Sequence, residues 1–328
     1  MSGGGSALHG RPGQMPLPSF KVDLTAPDVS AFLEGNTGIP GFTSYAAATP
    51  GPHVLVLSLV HGNEIAGAIV VEQLLRGGLR PERGRLTFGF ANIAAFRSFD
   101  PAQPTASRFL DEDLNRVWDV DVLEGPRRSV ELERARAMRP LFDTVDVALD
   151  LHSMLWPAEP LILCGQTARG RDLAQGIGTP GLSVADRGHV TGRRLIDYAR
   201  FGETGEAAAV LVEAGQHWAR GTVETSLASV AGVLRRSGCV MAHPLLPAVR
   251  GGAGGRHAEV TQTVTAGTAA FSFMRGYHGG EVIPRRNTII ALDGETEIRT
   301  PYDDCLLVMP NLRPSRGHTA VRLARFVT

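Results

Sequence analysis

His61 and Glu64 stand three residues apart in HGNE (61–64), a spacing that lets one tight turn aim both side chains at a single ion. Gly62 allows the backbone to bend closely, and Asn63 tolerates unusual dihedrals. The turn joins a charge-free, Leu- and Val-rich stretch read as a strand (Val54–Val60) to an apolar helix (Ile65–Leu75). Such a strand suits a parallel sheet covered on both faces. The turn then sits at the carboxyl end of a strand, where open α/β sheets build their sites. A His–Glu pair on a solvated surface would look the same, so the rest of the chain has to decide.

Three more stretches carry suitable chemistry. VDVALDLHS ends a second buried strand in His152, with Asp150 two residues before it and on the same side. That carboxylate could orient a ligating ring. AAAVLVEAG (207–215) places Glu213 after an apolar run, where it is costly to bury unless something pairs with it. RFLDEDLNRVW (108–118) holds Arg108, Asp111, Asp113, Asn115 and Arg116, and charge in a loop is commonly a solvated face. With Asn92 at the end of RLTFGFAN, polar groups gather at the ends of four expected strands: His61/Glu64, Asn92, His152 and Glu213. Two histidines and one carboxylate make a catalytic zinc set with an open position. The remaining carboxylate, Glu213, could take a proton from a metal-bound water and pass it to a leaving amine.

HGNE (61–64), DLNR (113–116), DLH (150–152) and VEAG (212–215), in this order, resemble the aspartoacylase/succinylglutamate desuccinylase family, a branch of the zinc carboxypeptidase fold. The resemblance runs from about Pro52 to the end. It implies one Zn2+ per chain on His61, Glu64 and His152, with Glu213 as general base and acid. It also implies that Asn115 and Arg116 hold a substrate carboxylate, Arg116 as a bidentate fork. Arg108, eight residues before Arg116, would help to polarise the amide carbonyl. That interval resembles the aspartoacylase branch; in digestive carboxypeptidases the equivalent arginine lies further upstream. The implied activity is zinc-dependent hydrolysis of the linear amide bond of a small N-acyl amino acid. The alternatives are a metallocarboxypeptidase acting on short peptides and a non-catalytic carboxylate-binding protein. No motif fixes further pocket residues: Arg193, Arg194, Tyr198, Arg200 and Tyr277 stay open, and DRGHVTGRRLIDYARFG departs from a strict N-acetylaspartate or succinylglutamate site. His217 reads equally as a pocket or a surface residue. His53, His189, His243, His257, His278 and His318 read as structural.

These groups need a scaffold. Strands at 54–60, 85–92, 145–151, 160–165 and 207–215, with helices at 65–75, 129–142 and 222–237 and one starting over 171–176, predict an α/β fold. Its mixed, mostly parallel sheet would have helices on both sides. Short extended pieces at Phe20–Val22 and before Pro40 would lead in. After about Val240 helical periodicity gives way to short β-like runs and turns. The division expected is a flexible tail (1–15), a catalytic domain (16–240) and a smaller all-β C-terminal domain (241–328), which would narrow the site mouth. RGGAGGR (250–256) would be a flexible loop. The 33 basic and 33 acidic residues balance, and no basic, aromatic-interleaved patch points to nucleic acid. No apolar run reaches the ~20 residues of a membrane helix. Three scattered cysteines without a CxxC suit a reducing cytoplasm. Self-association is left open, and the partner expected is a small N-acyl amino acid.

Overall fold

A computed structural model describes residues 20–189, 191–248 and 255–327. The expected tail (1–15) and most of the Gly-rich segment 250–256 lie outside them. The chain opens with β1 (Phe42–Ala46), β2 (His53–Ser58), α1 (Ile65–Arg76), β3 (Arg85–Phe90) and α2 (Ile93–Phe96). α3 (Val120–Glu124), α4 (Val130–Phe142), β4 (Val147–Met154), β5 (Leu161–Leu163), α5 (Ala168–Ile177), β6 (Leu182–Ala185), β7 (Ala208–Gln216) and α6 (Arg220–Arg236) follow. Beyond α6 the described elements are strands: β8 (Arg256–Thr265), β9 (Phe271–Phe273), β10 (Val282–Ile283), β11 (Ile289–Asp293), β12 (Thr296–Arg299), β13 (Cys305–Val308) and β14 (Thr319–Val327).

Eleven strands form one mixed sheet in the order β1-β3-β2-β4-β7-β5-β6-β8-β14-β13-β10. Its centre, β3-β2-β4-β7, is parallel, as the apolar runs predict. Alternation along each strand sorts side chains between two cores. Val54 and Val56 of β2, Leu149 and Leu151 of β4, and Val210 and Val212 of β7 pack with α1, α5 and α6. Leu55, Leu57, Ala148, Ala209 and Leu211 belong with α4 and Trp118. Asp150, His152 and Glu213 follow the second set by the two-residue period, so that face carries the polar strand ends.

β4 runs three residues past the expected end, so His152 and Ser153 are strand residues. β1 was not foreseen; it lies after Pro40 and pairs antiparallel with β3. Phe20–Val22 is no strand, because Phe20 is taken up edge-on by Trp156 and Trp218. The short β6, LSVA, was also missed: four residues between a Gly and an Asp show no useful period. It matters, because β8 pairs parallel with β6 and carries β14, β13 and β10 onto the same sheet. β9, β11 and β12 form a separate small antiparallel sheet, over a core that includes Phe271, Ile290 and Leu307. We propose that residues 241–328 act as a β-rich domain that shares the main sheet yet keeps this core of its own.

Candidate active site

β2 ends at Ser58, and Leu59 turns the chain with φ of 57°, which throws 61–64 across the sheet end. Leu59 is fully buried, so packing holds a backbone conformation that a non-glycine residue seldom adopts. Gly62 is required for a different reason: a Cβ there would lie 2.5 Å from the backbone of Ala95, Phe96 and Ser107. The backbone amide of Gly62 also bonds Arg108 O, joining the turn to the 108–116 loop. Gly62→Ala should therefore destabilise the fold by about 1–3 kcal/mol, the usual cost of overpacking. Denaturant unfolding would measure it, and a wild-type midpoint would show that the two segments are not held in contact.

Within this frame His61, Glu64 and His152 are buried together, each offering one ligand atom, and these atoms lie within 4.8 Å of one another. Glu64 is the hub. Its Oε1 lies 2.7 Å from His61 Nδ1 and its Oε2 3.1 Å from His152 Nδ1. Oε2 also accepts from the Ser153 backbone N–H at 2.9 Å, and Oε1 from Arg108 Nη1 at 3.1 Å. Burial alone would raise the Glu64 pKa, but His61 and His152 outweigh it and hold the carboxyl well below its ordinary value. On the far side of the His152 ring, Nε2 meets Asp150 Oδ2 at 2.9 Å, the orienting contact expected from their spacing. Burial opposes a charge on His152, yet Asp150 and Glu64 raise its pKa well above the ordinary value. The cluster thus fits a divalent ion: three buried donors of the right types converge, and one has a carboxylate behind it.

Glu213 sits beside His152, its register partner on the neighbouring strand β7. It is buried, and its Oε2 has no hydrogen-bond partner among the described residues. Burial and then Glu64 push its carboxyl up to about 8, in the range where a carboxyl can both accept and return a proton.

The 108–116 loop is a solvated face only over Phe109–Asp111; its backbone and its second half are held against the protein. Glu131 of α4 is fully buried and accepts from the backbone N–H groups of Leu110, Asp111 and Glu112, and from Asn92 Nδ2. Asn92, counted above with the site, instead caps α2 and braces Glu131. Asp113 accepts from the Asn115 backbone N–H and lies 2.9 Å from His61 Nε2. It also accepts from Arg108 Nη2 at 3.2 Å. Asn115 Oδ1 is committed to the Leu195 N–H at 2.8 Å, which leaves the Asn115 amide donors for another partner. Arg116 Nη1 donates to Asn115 O, and burial lowers the Arg116 pKa to about 10 despite Asp113.

Of the open arginines and tyrosines, Arg194 alone lines the cavity beside the cluster, and Asp186 and Asp197 bind its guanidinium. Arg193 faces Asp119, Tyr198 bonds Arg139 and Asp143, Arg200 bonds Val145 O and Asp146, and Tyr277 joins the C-terminal core. Two further residues reach the cavity, Arg322 of β14, which was not singled out, and His189, which was read as structural. Arg322 Nη2 donates to His189 Nε2 at 2.8 Å, while its buried Nε has no hydrogen-bond partner among the described residues and lies 3.4 Å from Asp186. An arginine inside the apolar run of β14 was the available signal, since burying one without a counter-charge is costly. His217 resolves as a pocket residue, buried and bonded to Ser153 Oγ at 2.7 Å.

His189, read as structural, is held neutral. Burial, then Arg322, Arg116 and Arg194, bring its pKa down to about 2. An unfolded chain charges this histidine below about 6.5 while the folded one does not. Unfolding therefore takes up a proton there, and stability falls as pH drops from about 6.5 toward 2, by at most ~1.4 kcal/mol per pH unit. His189→Gln should flatten that acid-side slope between pH 6 and 4; identical slopes in the two proteins would contradict it.

Comparison with known proteins places this geometry. Residues 50–155 match the family model described as Succinylglutamate desuccinylase/Aspartoacylase catalytic domain. Mouse aspartoacylase is 30% identical over 120 residues, 34% of this chain and 37% of that protein. The succinylglutamate desuccinylase of Ectopseudomonas mendocina is 33% identical over 105 residues, 31% of this chain and 29% of that one. The matched stretch thus spans about a third of the length of these curated relatives. The crystal structure of succinylglutamate desuccinylase from Vibrio parahaemolyticus superposes with a TM-score of 0.66 at 17% identity, covering 88% of this chain and 87% of that one, and so shares the fold. Residues 50–155, which hold the turn, the 108–116 loop and His152, are thus similar to the succinylglutamate desuccinylase/aspartoacylase catalytic domain.

Proposed function

We propose that this protein is a zinc-dependent amidohydrolase that deacylates a small N-acyl amino acid. The observation that carries the reading is Glu213, a buried carboxyl with an oxygen unpartnered among the described residues, set directly beside the His61–Glu64–His152 cluster. A pure binding protein has no use for such a group, whereas hydrolysis needs a base at that place.

His61, Glu64 and His152 would hold the ion, which when bound supplies Lewis acidity toward a carbonyl and a more acidic water. Glu213 takes a proton from the attacking water and returns it to the amide nitrogen as the C–N bond breaks. Arg108, which lies against the cluster through Glu64 and Asp113, turns toward the carbonyl oxygen and stabilises the charge that develops there. Asn115 and Arg116 receive the amino-acid carboxylate, and Arg322 adds a second cation on the same cavity wall. Met309, Thr319 and Arg322 place the C-terminal strands in that wall, which is how the β-rich part would favour small substrates.

The test is amine release by the zinc-loaded protein from a panel of N-acetyl, N-succinyl and aromatic-acyl amino acids, with short peptides alongside. Turnover of at least one acyl-amino acid is expected. Turnover of peptides alone would replace the reading with a carboxypeptidase, and zinc binding without any turnover would replace it with a carboxylate-binding protein. Among the described residues no helix is long and apolar enough to cross a membrane. The three cysteines are free and buried, with thiol pKa values pushed by burial to about 11 or 12, which suits the cytoplasm proposed here.

A further inference from the structure

Two cavities meet at the cluster, and their linings differ in kind. His61, Arg108, Glu213 and Met309 line both, so an amide bond placed there sends one half of the substrate into each. The first cavity, about 200 Å³, is cationic: Arg116, Arg194 and Arg322 line it together with Asn115. The second, about 180 Å³, runs past Met154, Leu155, Trp156 and Pro157 to Pro310. Its ionisable lining residues are those of the cluster end, Glu64, Arg108 and Glu213 with the two histidines His61 and His217. Burial brings the His217 pKa down to about 4, so it brings no positive charge to the cavity near neutral pH.

The apolar wall is built in. Trp156 packs edge-on against Phe20 and donates its indole N–H to Asn311 Oδ1 at 3.3 Å. Met309, at the junction of the two cavities, is held with φ of 49°, a conformation that costs a non-glycine residue free energy. The backbone thus spends strain where the cationic and apolar halves divide.

Resting on the deacylase reading, we propose that the apolar cavity is the acyl subsite and selects an uncharged, apolar acyl group. At about 30 Å³ per water-sized group the cavity, which includes the space beside the cluster, holds roughly six non-hydrogen atoms, on the scale of a short alkyl chain or a ring. The amino-acid half, with its carboxylate, occupies the cationic cavity. A succinyl group would bring a carboxylate against Trp156 and Pro157, while among the described residues the cavity's one lining arginine, Arg108, stands at the cluster end and is paired with Glu64 and Asp113.

The experiment measures calorimetric binding of N-acetyl, N-hexanoyl, N-benzoyl and N-succinyl derivatives of one amino acid to zinc-loaded Glu213→Gln. kcat/KM of the wild type is measured on the same series. Each methylene buried is worth roughly four-fold in affinity, so hexanoyl and benzoyl should bind at least about ten-fold more tightly than acetyl. Succinyl should bind at least about a hundred-fold more weakly than hexanoyl. Trp156→Ala should reduce the advantage of hexanoyl over acetyl to under about three-fold. Pro157→Arg, a change at an exposed rim position that avoids the core, should narrow the gap between succinyl and hexanoyl. Binding of succinyl as tight as hexanoyl, or no binding across the series, would overturn the proposal. If the binding order holds but the wild type hydrolyses nothing, the deacylase reading fails while the ligand preference stands.

Discussion

Glu213→Gln is expected to lower kcat by about 10²–10⁴-fold, the range spanned by general acid–base groups, with zinc content unchanged. Glutamine keeps the shape and burial but can neither take the proton from water nor return it to nitrogen. In the wild type, burial and then Glu64 push this carboxyl up to about 8, and a cation held by the cluster would draw it back down. The substitution removes an ionisable group whose Oε2 has no partner among the described residues, so no hydrogen bond from them to that oxygen is lost. Thermal stability should therefore hold or rise while activity collapses. A kcat within three-fold of wild type would remove Glu213 from the chemistry.

Glu64→Ala should cost more in stability than in any single contact. The carboxylate faces His61, His152 and Arg108 at once, the two histidines buried with it and Arg108 half-buried beside them. Taking it away leaves positive or protonatable groups facing one another with the Ser153 N–H unpaired. Removing one partner from a buried charged network typically costs about 3–5 kcal/mol, and the same change deletes a donor from the candidate ion site. The expected result is a fall in melting temperature together with loss of zinc retained after gel filtration. A variant that kept stoichiometric zinc would show that the ion sits elsewhere.

The sequence made the centre of this molecule readable because chemistry and period coincide there. β2, β4 and β7 are apolar runs that end in His61/Glu64, His152 and Glu213, and a chain that buries such runs must bring their carboxyl ends together. Asp150 and His152 were legible as a pair because a strand places alternate residues on one side. The rest depended on contacts that no local pattern reports. Glu131 looked like one more charge on an amphipathic helix, yet it is buried to hold three backbone amides of the 108–116 loop. Arg322 lies 206 positions beyond Arg116, and its place in the cavity follows from β8 docking on β6, a strand too short to foresee. Asn92 erred in the other direction: its strand-end position matched the site residues, but its side chain is spent on a helix cap and Glu131.

The most direct measurement is amine release from one N-acyl amino acid by the same protein sample as prepared with zinc, after chelation, and after zinc is restored. The account predicts turnover, its loss on chelation, and its return with zinc in the wild type but not in Glu213→Gln. Undiminished amine release from the chelated protein would contradict it.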